Sequence, residues 1–133
     1  MTAAYIDSSV VIATAFNEAG ISKLTDSIYN CDSFVSSNLL EAEVRSVFSR
    51  QRVPIPESLL HGIAWIFPER PLTQELSTTL EEGGYLRGAD LWHVACALYA
   101  MVVPSEAFFL TLDRQQSSVA RKLGFRTIEL ESD

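Results

Sequence analysis

The sequence predicts an α/β protein: three layers, α/β/α, around a central, mainly parallel sheet. Two observations carry this. Short apolar runs alternate with segments whose apolar residues recur at helical spacing, the order that builds a parallel sheet covered on both faces. The first such unit reads strand, cap, helix in succession, with Asp7-Ser8-Ser9 between Tyr5-Ile6 and Val10. At 133 residues and 47% hydrophobic content the chain can bury one core, so a single domain spanning residues 1–133 is expected. There is no internal repeat and no low-complexity run.

Residues 3–6 form the first strand, and residues 10–16 a short helix that Ser8 or Ser9 can cap. Ile21, Leu24 and Ile28 then recur at helical spacing. Phe34-Val35-Ser36 is a second strand, after which Ser37 or Asn38 caps a helix over residues 39–50. That helix places Leu40, Val44, Val47 and Phe48 on one face. Pro54 and Pro56 break the chain, a helix is expected over 59–67, and Pro68 and Pro71 end it. Residues 73–82 read as helical up to Gly83-Gly84. Leu91, Val94, Ala95, Leu98, Tyr99 and Val102 make the strongest helical stripe, predicting a buried helix over 89–103. Residues 108–111 form a third strand, 113–123 a last helix ended by Gly124, and 126–130 an alternating edge strand.

Ten Lys and Arg against seventeen Asp and Glu leave a net charge of −7, which excludes holding nucleic acid by bulk positive charge. No apolar run approaches the roughly 18 to 20 residues of a membrane span. The first residues, Met1-Thr2-Ala3-Ala4-Tyr5-Ile6-Asp7, lack the basic segment of a signal peptide, so a soluble cytoplasmic protein is expected. Cys31 and Cys96 have no disulfide-framework or Cys-x-x-Cys spacing and are expected to be reduced thiols. The phosphate-binding loop, the dinucleotide fingerprint and the Gly-x-Ser-x-Gly elbow are all missing.

The acids are where chemistry can be sought. In open parallel sheets ligands bind beyond the carboxyl ends of strands, where strand order reverses. Asp7 and Asp113 follow the first and third strands, while Glu43 and Asp90 lie in helices with strong apolar faces. Burying such carboxylates unpaired is costly, so each needs an Arg, backbone N–H groups or a metal ion. Taken singly, Asp7 and Asp113 are helix caps and Asp90 a partner of Arg87. Converging on one sheet end, the acids repel one another and call for a cation. With hard oxygen donors and no His or Cys cluster, that cation is Mg²⁺ or Mn²⁺ and not zinc. Such a cluster suits phosphodiester hydrolysis, because a metal acidifies its water and neutralises phosphate charge. Glu41 and Glu43 point roughly 200° apart on a helix, so only one can face the sheet end.

With these motifs in order, the chain resembles the PIN-domain ribonucleases, and among them the VapC-type toxins of toxin–antitoxin pairs. The resemblance spans nearly the whole chain through Tyr5-Ile6-Asp7-Ser8-Ser9-Val10; Ser37 with Leu39-Leu40-Glu41-Ala42-Glu43-Val44-Arg45; Arg87-Gly88-Ala89-Asp90-Leu91-Trp92-His93-Val94-Ala95; and Leu110-Thr111-Leu112-Asp113-Arg114. It implies a PIN-like fold, a metal-dependent ribonuclease activity with Mg²⁺ or Mn²⁺, and Asp7, Glu43, Asp90 and Asp113 as the acidic metal site. Ser9 is then a hydroxyl beside that site, with Thr111 as a further supporting residue; a His is common in that family where His93 stands, and it reads as structural, with general-base catalysis the lesser alternative. Gln115-Gln116 stand where many relatives carry a further acid. The resemblance also implies a cognate antitoxin crossing the cleft, and dimerisation.

Positive charge for RNA must then be local, and Arg45, Arg50, Arg87 and Arg114 are the residues able to fork onto phosphates. Trp65, Trp92 and Phe67 can stack bases, although core packing is the stronger expectation. Leu59, Leu60, Ile63, Ile66 and Phe67 can form an interface or belong to the core. Two rival classes are a PIN-like module that binds protein or RNA without cutting, and a metal-dependent phosphatase. The phosphatase class usually carries Asp-x-Asp, whereas Asp7 is followed by Ser8-Ser9.

Overall fold

The computed structural model describes residues 2–18 and 21–128, the Lys23 side chain excepted. Four parallel strands form one sheet: β1 (Ala3–Ile6), β2 (Ser33–Ser37), β3 (Ile63–Ile66) and β4 (Ala107–Leu110), in the order β3-β2-β1-β4. The chain steps outward from β1 through β2 to β3, then crosses back to lay β4 on the far side of β1. The strand order therefore reverses between β1 and β4.

Helices cover both faces, as the alternation of side chains along each strand requires. On one face, Ala4 and Ile6 of β1 and Leu110 of β4 pack with Val10 and Val11 of α1 (Ser8–Phe16), Leu24 of α2 (Ile21–Tyr29) and Leu40, Val44 and Phe48 of α3 (Leu39–Gln51). On the other, Tyr5 and Phe109 stack at 5.2 Å between ring centres. They pack with Leu76 of α4 (Thr73–Thr78), Val94–Ala97 of α5 (Gly88–Ala100), and Val119 and Ala120 of α6 (Arg114–Lys122). This is the expected three-layer α/β/α arrangement with an all-parallel sheet.

The expected helix over 59–67 is absent. A 3₁₀ turn at Glu57–Leu60 is followed by β3, with Phe34↔Ile63 through Ser37↔Ile66 in register. Gly62 holds φ +85°, a left-handed conformation that interrupts a helix, and the β-branched and aromatic residues after it complete the edge of β2. The five apolar residues in question divide accordingly. Leu59, Leu60 and Ile63 pack into one core and Ile66 into the other, while Phe67 stands 63% exposed. Of the predicted edge strand over 126–130, the described residues 126–128 make a single bridge, Phe108↔Arg126, and residues 129 and 130 lie outside the described residues. The helix predicted over 89–103 ends at Ala100, and that over 73–82 continues from α4 as a π turn at Thr79–Gly83.

Candidate active site

Asp7 and Asp113 lie just past the carboxyl ends of β1 and β4, on either side of the strand-order reversal. The Asp7 amide extends the β1–β4 ladder by donating to Leu110 O at 2.9 Å. Each acid then caps the helix that follows. Asp7 Oδ2 accepts from Ser9 N at 3.1 Å, so α1 begins at Ser8 and its cap is Asp7, not Ser8 or Ser9. Asp113 Oδ1 accepts from Gln116 N at 2.8 Å at the start of α6. Capping and convergence thus coexist, and the cap bonds orient each carboxylate. Asp7 is buried, at 5% exposure, and Asp113 is exposed.

Asp90 sits half-buried in the first turn of α5. Its carboxyl is pushed above the ordinary range by burial first, then by the negative fields of Asp7 and Asp113; the Arg87 guanidinium opposes and Glu43 adds slightly. The fields that act on Asp90 thus come from acids on three other elements.

Glu43 reaches the same region from α3, which starts beyond the carboxyl end of β2. Its Oε1 lies 2.5 Å from Nε2 of the fully buried His93, which is also 3.9 Å from Asp7 Oδ1. His93 follows Asp90 by three residues on α5, one turn along the same side. On its other nitrogen, Nδ1, His93 meets the Tyr5 hydroxyl at 2.6 Å. Tyr5 and Asp7 are two apart across the end of a strand and so share a sheet face, the one covered by α5. Glu41 turns away, as helical geometry demands, and pairs with Arg45 at 2.8 Å on the outer side of α3.

Thr111 ties the two caps together. Its hydroxyl lies 3.3 Å from Asp7 Oδ2 and donates to Gln116 Oε1 at 2.7 Å, while its oxygen accepts from Asp113 N at 3.1 Å. Ser9 Oγ approaches Thr111 Oγ1 at 3.3 Å and accepts from Leu112 N at 3.0 Å. Gln116, fully buried, completes the frame by donating from Nε2 to the Asp90 carbonyl at 3.3 Å.

The expected arginines are placed unequally. Arg87 is exposed at the N-cap of α5, and its charge reaches Asp90. Arg114 is exposed beside Asp113 at the start of α6. Arg45, engaged with Glu41, borders a separate recess lined by Ile55, Glu57, His61 and Trp65. Trp65 and Trp92 pack partly buried against the two cores, and Trp92 Nε1 donates to Ser37 Oγ at 2.9 Å. Core packing is their role in this structure.

Tyr5 and Gln116 are the site residues that sequence reasoning missed. The signal for Tyr5 was the period of two that sets it on the face of Asp7. For Gln116 it was the spacing Asp113-x-x-Gln116, a capping pattern whose Gln here bonds Thr111 and not its own cap.

The donors suit a hard divalent cation in kind: four carboxylates, with the Asp90 carboxyl raised by burial and by its negative neighbours. Among the described residues, however, no three His, Cys, Asp or Glu side chains stand close enough together to enclose an ion. No helix among them is long and apolar enough to cross a membrane. No family model matches the chain, and no curated protein matches it.

Proposed function

We propose that this chain is a metal-dependent ribonuclease that hydrolyses RNA phosphodiester bonds, with Asp7, Glu43, Asp90 and Asp113 as its acidic site. The observation that carries the reading is the placement of Asp7 and Asp113 at the β1–β4 reversal with Asp90 inside their combined field. Isolated structural acids gain nothing from such mutual repulsion, whereas a divalent cation held among them offsets it and can in turn attract a phosphate.

Asp7, Asp90, Asp113 and Glu43 would hold Mg²⁺ or Mn²⁺. When bound, the ion supplies an acidified water and positive charge against the phosphate oxygens. The chain's own groups do the rest. The Ser9 amide holds Asp7 and the Gln116 amide holds Asp113, each through a cap bond, so neither carboxylate needs to be reordered on binding. Arg87 and Arg114, exposed at the starts of α5 and α6, offer guanidinium forks to the phosphates flanking the cut. Arg45, the third candidate for phosphate contact, pairs with Glu41. The role of toxin in a toxin–antitoxin pair, with a cognate antitoxin, a homodimer and a cytoplasmic location, belongs to the same proposal and rests on the motif resemblance.

The test is incubation of the purified protein with total bacterial RNA in Mn²⁺ or Mg²⁺, beside EDTA controls and the variants Asp7→Asn and Asp90→Asn. Discrete metal-dependent fragments that both variants lose are the expected result. Fragments that persist in the variants would remove the catalytic assignment. Turnover of small phosphate esters without RNA cleavage would point to the phosphatase class, and RNA retention without cutting to a binding module.

A further inference from the structure

Resting on the ribonuclease reading, we propose that Tyr5 is a positioning residue for Glu43: acting through His93, its hydroxyl selects the imidazole tautomer that presents Nε2–H to the Glu43 carboxylate.

Four observations combine. Tyr5 Oη accepts from the Ser37 amide at 3.0 Å, and its own single proton faces His93 Nδ1 at 2.6 Å. Tyr5 and His93 are both fully buried, so neither has water as an alternative partner. A tyrosine hydroxyl carries one proton to donate, and with Ser37 N already donating to its oxygen that proton is directed at His93 Nδ1. The neighbouring Ser36 hydroxyl gives its proton to the Ile6 carbonyl at 2.8 Å and so does not compete as a donor to Tyr5 Oη. With Nδ1 accepting, the ring proton sits on Nε2, and that nitrogen donates to Glu43 Oε1 at 2.5 Å.

The start of this relay is itself anchored. Ser37 Oγ accepts from both Leu39 N, at the first residue of α3, and Trp92 Nε1 of α5. The helix bearing Glu43 and the helix bearing His93 are therefore joined at the residue whose amide sets Tyr5. The outcome is a donor held between two carboxylates, bonded to Glu43 and 3.9 Å from Asp7 Oδ1. It offsets their repulsion and sets the direction from which Glu43 faces the sheet end. A buried tyrosine with only a packing role has no reason to control that direction.

Two readouts test the proposal. Ring ¹⁵N–¹H correlation spectra, with His93 assigned by its loss in His93→Gln, report the tautomer directly. Mn²⁺ titration of the metal-free protein, followed by electron paramagnetic resonance, reports how well the carboxylates are arranged. The wild type should show the Nε2–H form alone, and Tyr5→Phe, which keeps the ring against Phe109, a mixture of tautomers. Mn²⁺ affinity should fall about 10-fold in Tyr5→Phe and further in His93→Leu, the scale of loss seen for outer partners of metal-bound groups. His93→Gln, which retains an amide donor toward Glu43, should recover part of it.

A ring proton on Nδ1 in the wild type, or unchanged Mn²⁺ affinity in a folded Tyr5→Phe, overturns the proposal. If Tyr5→Phe does not fold, equal losses in His93→Gln and His93→Leu overturn it instead. A wild type that binds no Mn²⁺ defeats the ribonuclease reading, and the tautomer spectra still decide whether Tyr5 sets the ring.

Discussion

The hydrogen bond from Thr111 to Gln116 is the joint between β4 and α6, and a double-mutant cycle measures it. Both side chains are buried and the bond is 2.7 Å long. A neutral hydrogen bond contributes about 0.5–1.5 kcal/mol net, and stranding one buried partner costs about 1–3 kcal/mol. In Gln116→Leu the Thr111 hydroxyl can turn to Asp7 Oδ2, 3.3 Å away, so the cost falls near the lower end, about 1 kcal/mol. Thr111→Val strands Gln116 Oε1 and also removes the acceptor of the Asp113 amide, so about 2 kcal/mol is expected. Replacing both partners leaves no orphan between them, and the double variant should lose about 1 kcal/mol less than the two single losses together. For a chain of this size that difference is about 3–5 °C in Tm. Urea unfolding followed by far-ultraviolet circular dichroism measures each term, provided the m-value is unchanged. Losses that add to within about 0.3–0.5 kcal/mol would refute the bond as the link between these residues.

Further predictions concern charge, thiols and packing. Asp90 is raised by burial and by its acidic neighbours, so its ionised form opposes folding; that penalty is complete above the folded pKa and disappears as pH falls through it. Asp90→Asn should therefore unfold at higher urea than the wild type at neutral pH in EDTA, with the gap closing near about pH 4; a constant gap would contradict this. Burial pushes the Cys96 thiol up to about 11, whereas Cys31 is half-buried, so iodoacetamide should label Cys31 first in the folded protein and both equally in urea, as peptide mass spectrometry would show. A Cβ at Gly83 would lie 2.6 Å from Val119 Cγ1, so Gly83→Ala should cost about 1–3 kcal/mol in urea unfolding. Adding Val119→Ala should return part of that loss, and no recovery would place the strain elsewhere.

Much of the fold was legible because its signals are local. Helices α1, α3, α5 and α6 announce themselves through apolar spacing and the turn residues around them, and β1, β2 and β4 through short apolar runs. Residues 59–67 misled because a short apolar run fits either period, and what decides is the open edge of β2 together with Gly62 at φ +85°. The edge strand expected at 126–130 alternates convincingly, yet its described part makes only the Arg126 bridge. Pairing depends on a neighbour, not on alternation alone.

For the site, sequence alone determined which acids end strands or interrupt apolar helices, and helical geometry determined that Glu41 and Glu43 take opposite sides. These are consequences of fixed backbone periods, which need no knowledge of the partner. Tertiary structure decided what those acids touch. Tyr5 and His93 are 88 residues apart and His93 and Glu43 are 50 apart, so the relay exists only once α3 and α5 have packed on the two faces of the sheet. The same holds for Gln116, whose position in the chain says cap while its bonds to Thr111 and to the Asp90 carbonyl say tether. A side chain's type and spacing restrict its possible partners; which one it meets is settled by the packing that buries it and leaves its polar atoms only one place to go.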